Sequence, residues 1–417
     1  MEMLIVEPQT ASAGPLARVH DSALPALAGG EDAPLGSVLE HRFGASEPFT
    51  LGVEEEYMLL DGETFDLVQH IDTFLAAANG HEFEPRITPE LMQSVLEVAT
   101  PVCSTLADVE EQLRKLRTFV CEVAAGEGLR VGSAGTHPFS LFERQLITVK
   151  ERYQTLVDQL QFVARRELIF GLHVHVAVDD AEKAVQVENG LLEHLPELLA
   201  LSASSPFWRG EPTGLASTRQ MVASAGPRSG PPPHFTDYAT YAAVVGRLQR
   251  TGCIADCTDL WWDIRLNPRL GTVEIRICDA TTRLEDVVAI TAYCQALVKH
   301  YCQLHERGEK VPSYHPVFTT ENKWLAARHG LRALLMDLAT GRPNRVPVAR
   351  LIERTLERIR PHARELGSER ELDGIHEILA HGNGADRQLR VFDTNHDVLE
   401  VVAEIADATE ITAGAYP

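Results

Sequence analysis

The chain has no apolar run long enough to cross a bilayer, which argues against a helical membrane protein. Its opening Met3-Leu4-Ile5-Val6 is too short for the apolar core of a secretion signal and stops at Glu7-Pro8. Positive charge is scarce: 38 lysines and arginines stand against 60 aspartates and glutamates, a formal net charge of -22. Such a surface repels phosphate backbones and points away from nucleic acid. It would repel ATP as well, unless basic residues or bound cations line a pocket locally. The seven cysteines are scattered and odd in number, and Cys253 and Cys257 have no second pair nearby. A zinc site or a disulfide framework is therefore disfavoured, and free thiols in a cytoplasmic protein are expected. Neither a Walker A motif nor a GxGxxG fingerprint is present, so neither of those phosphate-binding loops is available. No internal repeat or heptad run stands out.

What remains is a chain of 417 residues with an ordinary 44% hydrophobic content, enough for a large core. Residues 1–47 are rich in Ala, Gly and Pro and lack periodicity. They read as a weakly structured extension ahead of a single catalytic domain over 48–417. Thr105 and Asp108 form a capping-box-like start, followed by an apolar stripe from Leu106 to Val123, with Gly126 and Gly128 at the end. Further helices are predicted over 182–201, 284–306, 322–340 and 348–366.

Four segments read as strands, and the last three alternate as half-buried strands do. Over 53–60, Glu54 and Glu56 share a face. Over 171–178, His173 and His175 lie opposite Leu172, Val174, Val176 and Val178. Over 263–267, Asp263, Arg265 and Asn267 oppose Ile264 and Leu266. Over 272–278, Glu274 and Arg276 oppose Val273, Ile275 and Ile277. One face should pack on a core and the other should be wet or functional. The predicted architecture is α+β: a curved, largely antiparallel sheet with helices on one face and an open charged cleft on the other.

The polar faces carry specific chemistry. Paired same-face carboxylates such as Glu54 and Glu56 repel unless a cation sits between them, and Mg²⁺ prefers oxygen ligands. An isolated Glu-x-Glu is more often a solvated acidic edge. Glu97, amid apolar neighbours in 96–101, needs a partner, and a salt bridge is the plain reading. His173 and His175 could form a zinc pair or be hydrogen-bonded core histidines. Glu274 and Arg276 could be a structural ion pair, or could present a guanidinium fork to carboxylate or phosphate. Lys323 and Arg328 open a helix and could reach phosphates, or could lie on a solvated face. Together, carboxylates, histidines and arginines on several strand faces suit Mg²⁺-assisted phosphoryl transfer from ATP.

Six ordered blocks carry a resemblance: GVEEEY (52–57), LEVATP (96–101), GLHVHVAV (171–178), SASSPFWRG-x-x-TG-x-AS-x-R (202–219), DIRLNPRLGTVEIRICDATT (263–282) and ENKWLAARHG (321–330). In these the chain resembles the type 2 glutamate–cysteine ligase family, in its carboxylate–amine ligase branch, from about Thr50 to Arg328. The resemblance implies a glutamine-synthetase-like core and ATP-dependent carbon–nitrogen bond formation, with glutamate activated as a γ-glutamyl phosphate and joined to an amine such as cysteine. It implies ATP as substrate and Mg²⁺ or Mn²⁺ as cofactor. Matched residue by residue, Glu54, Glu56, Glu97, His173 and Glu274 would hold metal, with Glu274 and Arg276 catalytic. Arg219, Arg265 and Arg276 would bind substrate, and Lys323 and Arg328 would bind ATP. Some family members carry an acid four residues before Glu97; here that position is Gln93. The expected partners are small molecules, neither nucleic acid nor membrane, with homo-oligomer formation left open. Two alternatives stand beside the ligase: a metal-dependent hydrolase built on His173 and His175, and a non-catalytic amino-acid or nucleotide sensor.

Overall fold

Alternating segments pair into one antiparallel sheet. The computed structural model describes residues 39–340 and 343–410, within a compact unit that begins at Val38. Residues 1–38, most of the predicted extension, lie outside the described residues. The main sheet contains β1 (Leu51–Asp61), β2 (Ile87–Pro89), β3 (Val95–Ala99), β4 (Leu129–Gly132), β5 (Gly171–Ala177), β6 (Ile264–Asn267) and β7 (Thr272–Asp279). Its order is β6-β7-β5-β1-β3-β2, and β4 also pairs with β1. Every pair is antiparallel. The segment at 42–49 is tied to the sheet: Arg42 N–H donates to Pro268 O at 2.8 Å and Phe49 N–H to Ala177 O at 2.8 Å.

The apolar positions of β1, β5 and β7 (Val53, Val174, Val176, Val273 and Ile275) join one core with three helices: Leu106–Gly126, Ala181–Leu191 and Leu284–Glu306. Burying each such aliphatic side chain stabilises the fold by roughly 1.5–3 kcal/mol before entropy is counted. The 284–306 and 348–366 helices lie where periodicity predicts them. Thr105 and Asp108 make the full reciprocal capping box, which satisfies backbone donors at the start of the Leu106–Gly126 helix.

Two helical predictions are corrected. The 182–201 segment is two helices, Ala181–Leu191 and Leu195–Ser202. Pro196 lies in the first turn of the second, where its missing N–H costs no helical bond. The predicted 322–340 helix instead runs from Pro316 to His329, after which Leu334–Met336 forms a strand. Gly330 caps it at φ +53, a left-handed conformation that a helix cannot continue through. None of the seven cysteines forms a disulfide, and no helix among the described residues is long and apolar enough to cross a membrane.

Candidate active site

Sheet register brings the polar positions into rows. Glu54 pairs with His173 on β5, Glu56 with Glu97 on β3, and Glu274 with both His175 on β5 and Arg265 on β6. Residues paired across neighbouring antiparallel strands point the same way, so one face carries them all. They floor and line a cleft of about 740 Å³ that also takes in Glu90, Arg152, Glu167, Arg219, Trp261, Asp263 and Arg276. The predicted wet face is only partly wet. His173, His175, Glu274 and Arg265 are buried; Arg265 bonds Glu274 and both histidines bond Glu54 across strands, so all four tolerate being covered.

Two electrostatic regimes meet on this floor. Around Glu274, opposite charges are matched. Arg265 donates Nε and Nη2 to its two oxygens at 3.0 and 2.8 Å, and Arg276 Nη1 donates to Oε1. Burial alone would raise the carboxyl pKa, but Arg265, Arg276 and His175 outweigh it and hold Glu274 well below the usual range. Glu54 behaves similarly: burial opposes its charge, yet His175 and His173 pull its pKa well down. His173 Nδ1 lies 3.0 Å and His175 Nε2 3.2 Å from Glu54 oxygens. Burial and Arg276 depress His173 to about 4, so its ring is neutral near pH 7. Burial also works against charge on His175, but Glu274 and Glu54 raise its pKa.

Around Glu56, Glu90 and Glu97, like charges are crowded. Burial pushes Glu56 up to about 7 despite Arg219. Burial and the charge of Glu56 push Glu90 to about 7. Glu97 is raised well above normal by burial and by Glu90. One oxygen from each of these three lies within 4.8 Å of the others; Glu54, Glu97 and His173 form a second such group, and Glu54, His175 and Glu274 a third. An all-oxygen set that resists ionisation when bare fits a hard divalent cation. Mg²⁺ or Mn²⁺ would be held chiefly by Glu56, Glu90 and Glu97, with Glu54 and His173 on the second group.

Arg219 opens a short helix, Arg219–Ala223, at the end of the 203–218 loop. It donates Nη1 to Ile277 O at 3.2 Å and Nη2 to Arg276 O at 3.3 Å, where the β7 register shifts between Ile275 and Cys278. Irregularities of this kind re-aim side chains next to sites, and this one carries Arg276. Beside it, a Cβ at Gly171 would lie 2.6 Å from Arg219 Nη2, so only glycine allows that approach. Asp279 anchors the loop, accepting from Ser204 N–H, Ser205 Oγ and Ser217 Oγ at 2.9, 2.6 and 2.8 Å.

The family model described as glutamate-cysteine ligase family 2 (GCS2) matches residues 50–405. The chain belongs to this family. A Rubrobacter xylanophilus protein named "Putative glutamate–cysteine ligase 2-1" is 42% identical over 91% of this chain and 99% of its own. A Solibacter usitatus protein named "Putative glutamate–cysteine ligase 2" is 41% identical over 87% of this chain and 93% of its own. Among solved structures, a glutamate–cysteine ligase from Francisella tularensis in complex with AMP superposes with a TM-score of 0.63 at 12% identity, covering 89% of this chain and 91% of its own. A bifunctional glutathione synthetase from Pasteurella multocida gives 0.59 at 15% identity, covering 87% of this chain and 51% of its own. At these identities the structural likeness speaks for the fold.

Within this family fold, the residues singled out from sequence separate into three places. Glu54, Glu56, Glu97, His173, Arg219, Arg265 and Arg276 line the cleft, with Glu274 directly beneath. Lys323 is buried behind the wall and donates to both oxygens of Asp263 at 2.8 and 2.6 Å, so it reaches the cleft only through that carboxylate. Arg328 is exposed, donates to Gly214 O and does not line the cleft. Sequence reasoning missed Glu90 and Glu167. Glu90 stands just past Pro89 on the hairpin whose Thr88 pairs with Glu97; reading 87–99 as a hairpin would have flagged it. Glu167 sits in a loop and carries no such signal. Gln93 donates to Ile147 O, and Glu90 supplies the third carboxylate instead.

Proposed function

We propose that this protein is an ATP-dependent carboxylate–amine ligase that activates the side-chain carboxylate of glutamate as an acyl phosphate and joins it to an amine such as cysteine, in the cytoplasm. The observation that carries this reading is the division of one cleft floor into a crowded carboxylate group and an arginine-bearing group. A divalent cation bound at the carboxylates would neutralise charge along the ATP phosphates. Arg276, which faces the cleft while anchored on Glu274, would offset charge on the transferring phosphoryl group. Arg219 would face the acid substrate, while Arg265, fully engaged by Glu274 and by Thr258 O and Leu260 O, would keep Glu274 in place. Asp263, held by Lys323, would complete the wall on the nucleotide side.

No serine, cysteine or threonine with an oriented base lines the cleft among the described residues, which supports catalysis by positioning and charge without a covalent enzyme intermediate. The hydrolase alternative loses ground because each metal-capable group is led by carboxylates and holds at most one histidine, whereas catalytic zinc sites draw on several nitrogen or sulfur ligands. The test is an ADP-release screen with pairs of amino acids and amines, with hydroxylamine as a trap. Hydroxamate with an equal amount of ADP is expected; AMP and pyrophosphate as products would overturn the acyl-phosphate step.

A further inference from the structure

Nearly every carboxylate in the cleft has a partner. Glu54, Glu56, Glu90 and Glu97 belong to groups that could hold a cation. Asp263 is paired with Lys323, and Asp256 with Arg269 at 2.9 Å. Asp259 accepts from Ala255 N–H at 2.7 Å. Glu151 is exposed at the rim.

Glu167 differs from all of them. It lines the cleft and is half-buried, yet belongs to none of the cation-capable groups. Among the described residues its carboxyl accepts no hydrogen bond and makes no ion pair. Burial raises it to about 7, although Arg219, Arg166 and Arg276 all favour its charge. Its place in the chain ties it to the reacting centre: four residues on, Gly171 N–H donates to Glu56 Oε2 at 2.6 Å.

A carboxylate that lines the cleft outside every cation-capable group is free to meet an ammonium. ATP and the acid substrate are anions, suited to the cations and to Arg219 and Arg276. The acceptor brings its reacting nitrogen as an ammonium, which must lose a proton before that nitrogen can attack. We propose that Glu167 receives the acceptor amine and takes the proton that must leave before its nitrogen can attack. This rests on the acyl-phosphate reading above. The ammonium gives one proton to the Glu167 carboxylate, and the freed nitrogen lone pair attacks the acyl carbon. The bond from that carbon to the phosphate oxygen breaks, and the departing phosphate carries away the second nitrogen proton. Arg219 lines the same cleft and its charge favours ionised Glu167, so the acid substrate held by Arg219 would be presented to this base.

Hydroxylamine tests the assignment, because it is largely unprotonated at neutral pH and needs no base to become nucleophilic. Full-length wild type, Glu167→Gln and Glu167→Asp would be compared with ATP, Mg²⁺ and glutamate. The acceptor would be either hydroxylamine or the standard amino acid that wild type uses fastest. In Glu167→Gln, amide formation should fall about a hundredfold or more, the usual worth of a positioned base. Hydroxamate formation should stay within a few-fold of wild type, which also shows that the variant is folded. Glu167→Asp should recover part of the amide rate. Amide formation at the wild-type rate in Glu167→Gln, or equal loss of both products in both variants, overturns the proposal. A wild-type enzyme that makes no hydroxamate with ADP overturns the acyl-phosphate reading instead.

Discussion

Glu55 and Glu56 are neighbours in sequence but serve opposite faces of β1. Glu56 turns to the cleft, while Glu55 is buried on the back, accepting from Arg117 Nε at 3.1 Å and Tyr57 OH at 2.5 Å. Arg117 also donates to Thr281 O and Thr282 O, so this pair ties the site-bearing strand to the Leu106–Gly126 helix and to the end of β7. Glu55→Gln leaves a buried guanidinium without its counter-charge and should cost about 3–5 kcal/mol of stability. Glu56→Gln relieves like-charge crowding and keeps an acceptor for Gly171 N–H, so it should abolish turnover at little cost in stability. Denaturant unfolding and ADP release, measured on both, separate the two roles. Equal destabilisation would show that Glu56 is structural.

Glu274 sits fully buried beneath Arg265 and Arg276. Glu274→Gln keeps the shape but leaves two guanidiniums under-compensated and lets Arg276 swing out of line. Turnover should fall by roughly a hundredfold or more, with a clear loss of stability. Arg276→Lys keeps the charge and loses the planar fork, so activity should drop while the protein stays folded. Lysine working as well as arginine would reduce Arg276 to a point charge.

Alternation made most of this site legible. A period of two put Glu54, Glu56, His173, His175, Glu274 and Arg276 on one face each, and pairing then joined those faces without further information. The capping box at Thr105 and the stripes over 284–306 and 348–366 are local signals that tertiary packing did not override. Other features depend on long-range geometry. Glu90 lies beyond the short strand that places it, and Glu167 is set by a loop. Arg328 was grouped with Lys323 by sequence proximity, yet the helix turns one toward Asp263 and the other to solvent. Leu334–Met336 became a strand because it pairs with Arg345–Pro347, a partner no local pattern announces.

His137 supplies a pH prediction away from the chemistry. It is buried; its Nδ1 accepts from Phe139 and Ser140 N–H, which leaves the proton on Nε2 to donate to Phe65 O at 2.9 Å. Burial lowers its pKa from 6.5 to about 4. The unfolded chain therefore takes up a proton at higher pH than the folded chain. This contribution is fully present above pH 6.5 and is lost as pH falls toward 4, in total roughly 3 kcal/mol. His137→Asn cannot titrate there. Unfolding free energies across that window should converge for the two proteins as pH falls, and a constant difference would remove His137 from the account.

Glu56, Glu90 and Glu97 crowd within 4.8 Å, and burial raises the pKa of each. Without a cation, part of this charge is suppressed by bound protons. A divalent cation must displace those protons, so binding near pH 7 should release them, as calorimetry in buffers of different ionisation enthalpy would record. Because the site is assembled only in the folded chain, Mg²⁺ at a hundredfold excess over its Kd should stabilise by about 2.7 kcal/mol. Glu90→Gln removes one anionic oxygen and one source of repulsion. Without metal the variant should be as stable as wild type or more so; with Mg²⁺ its thermal shift should be smaller and its proton release lower. If Mg²⁺ shifts both proteins equally, Glu90 is not a ligand, and the cation would have to sit with Glu54, Glu97 and His173 instead.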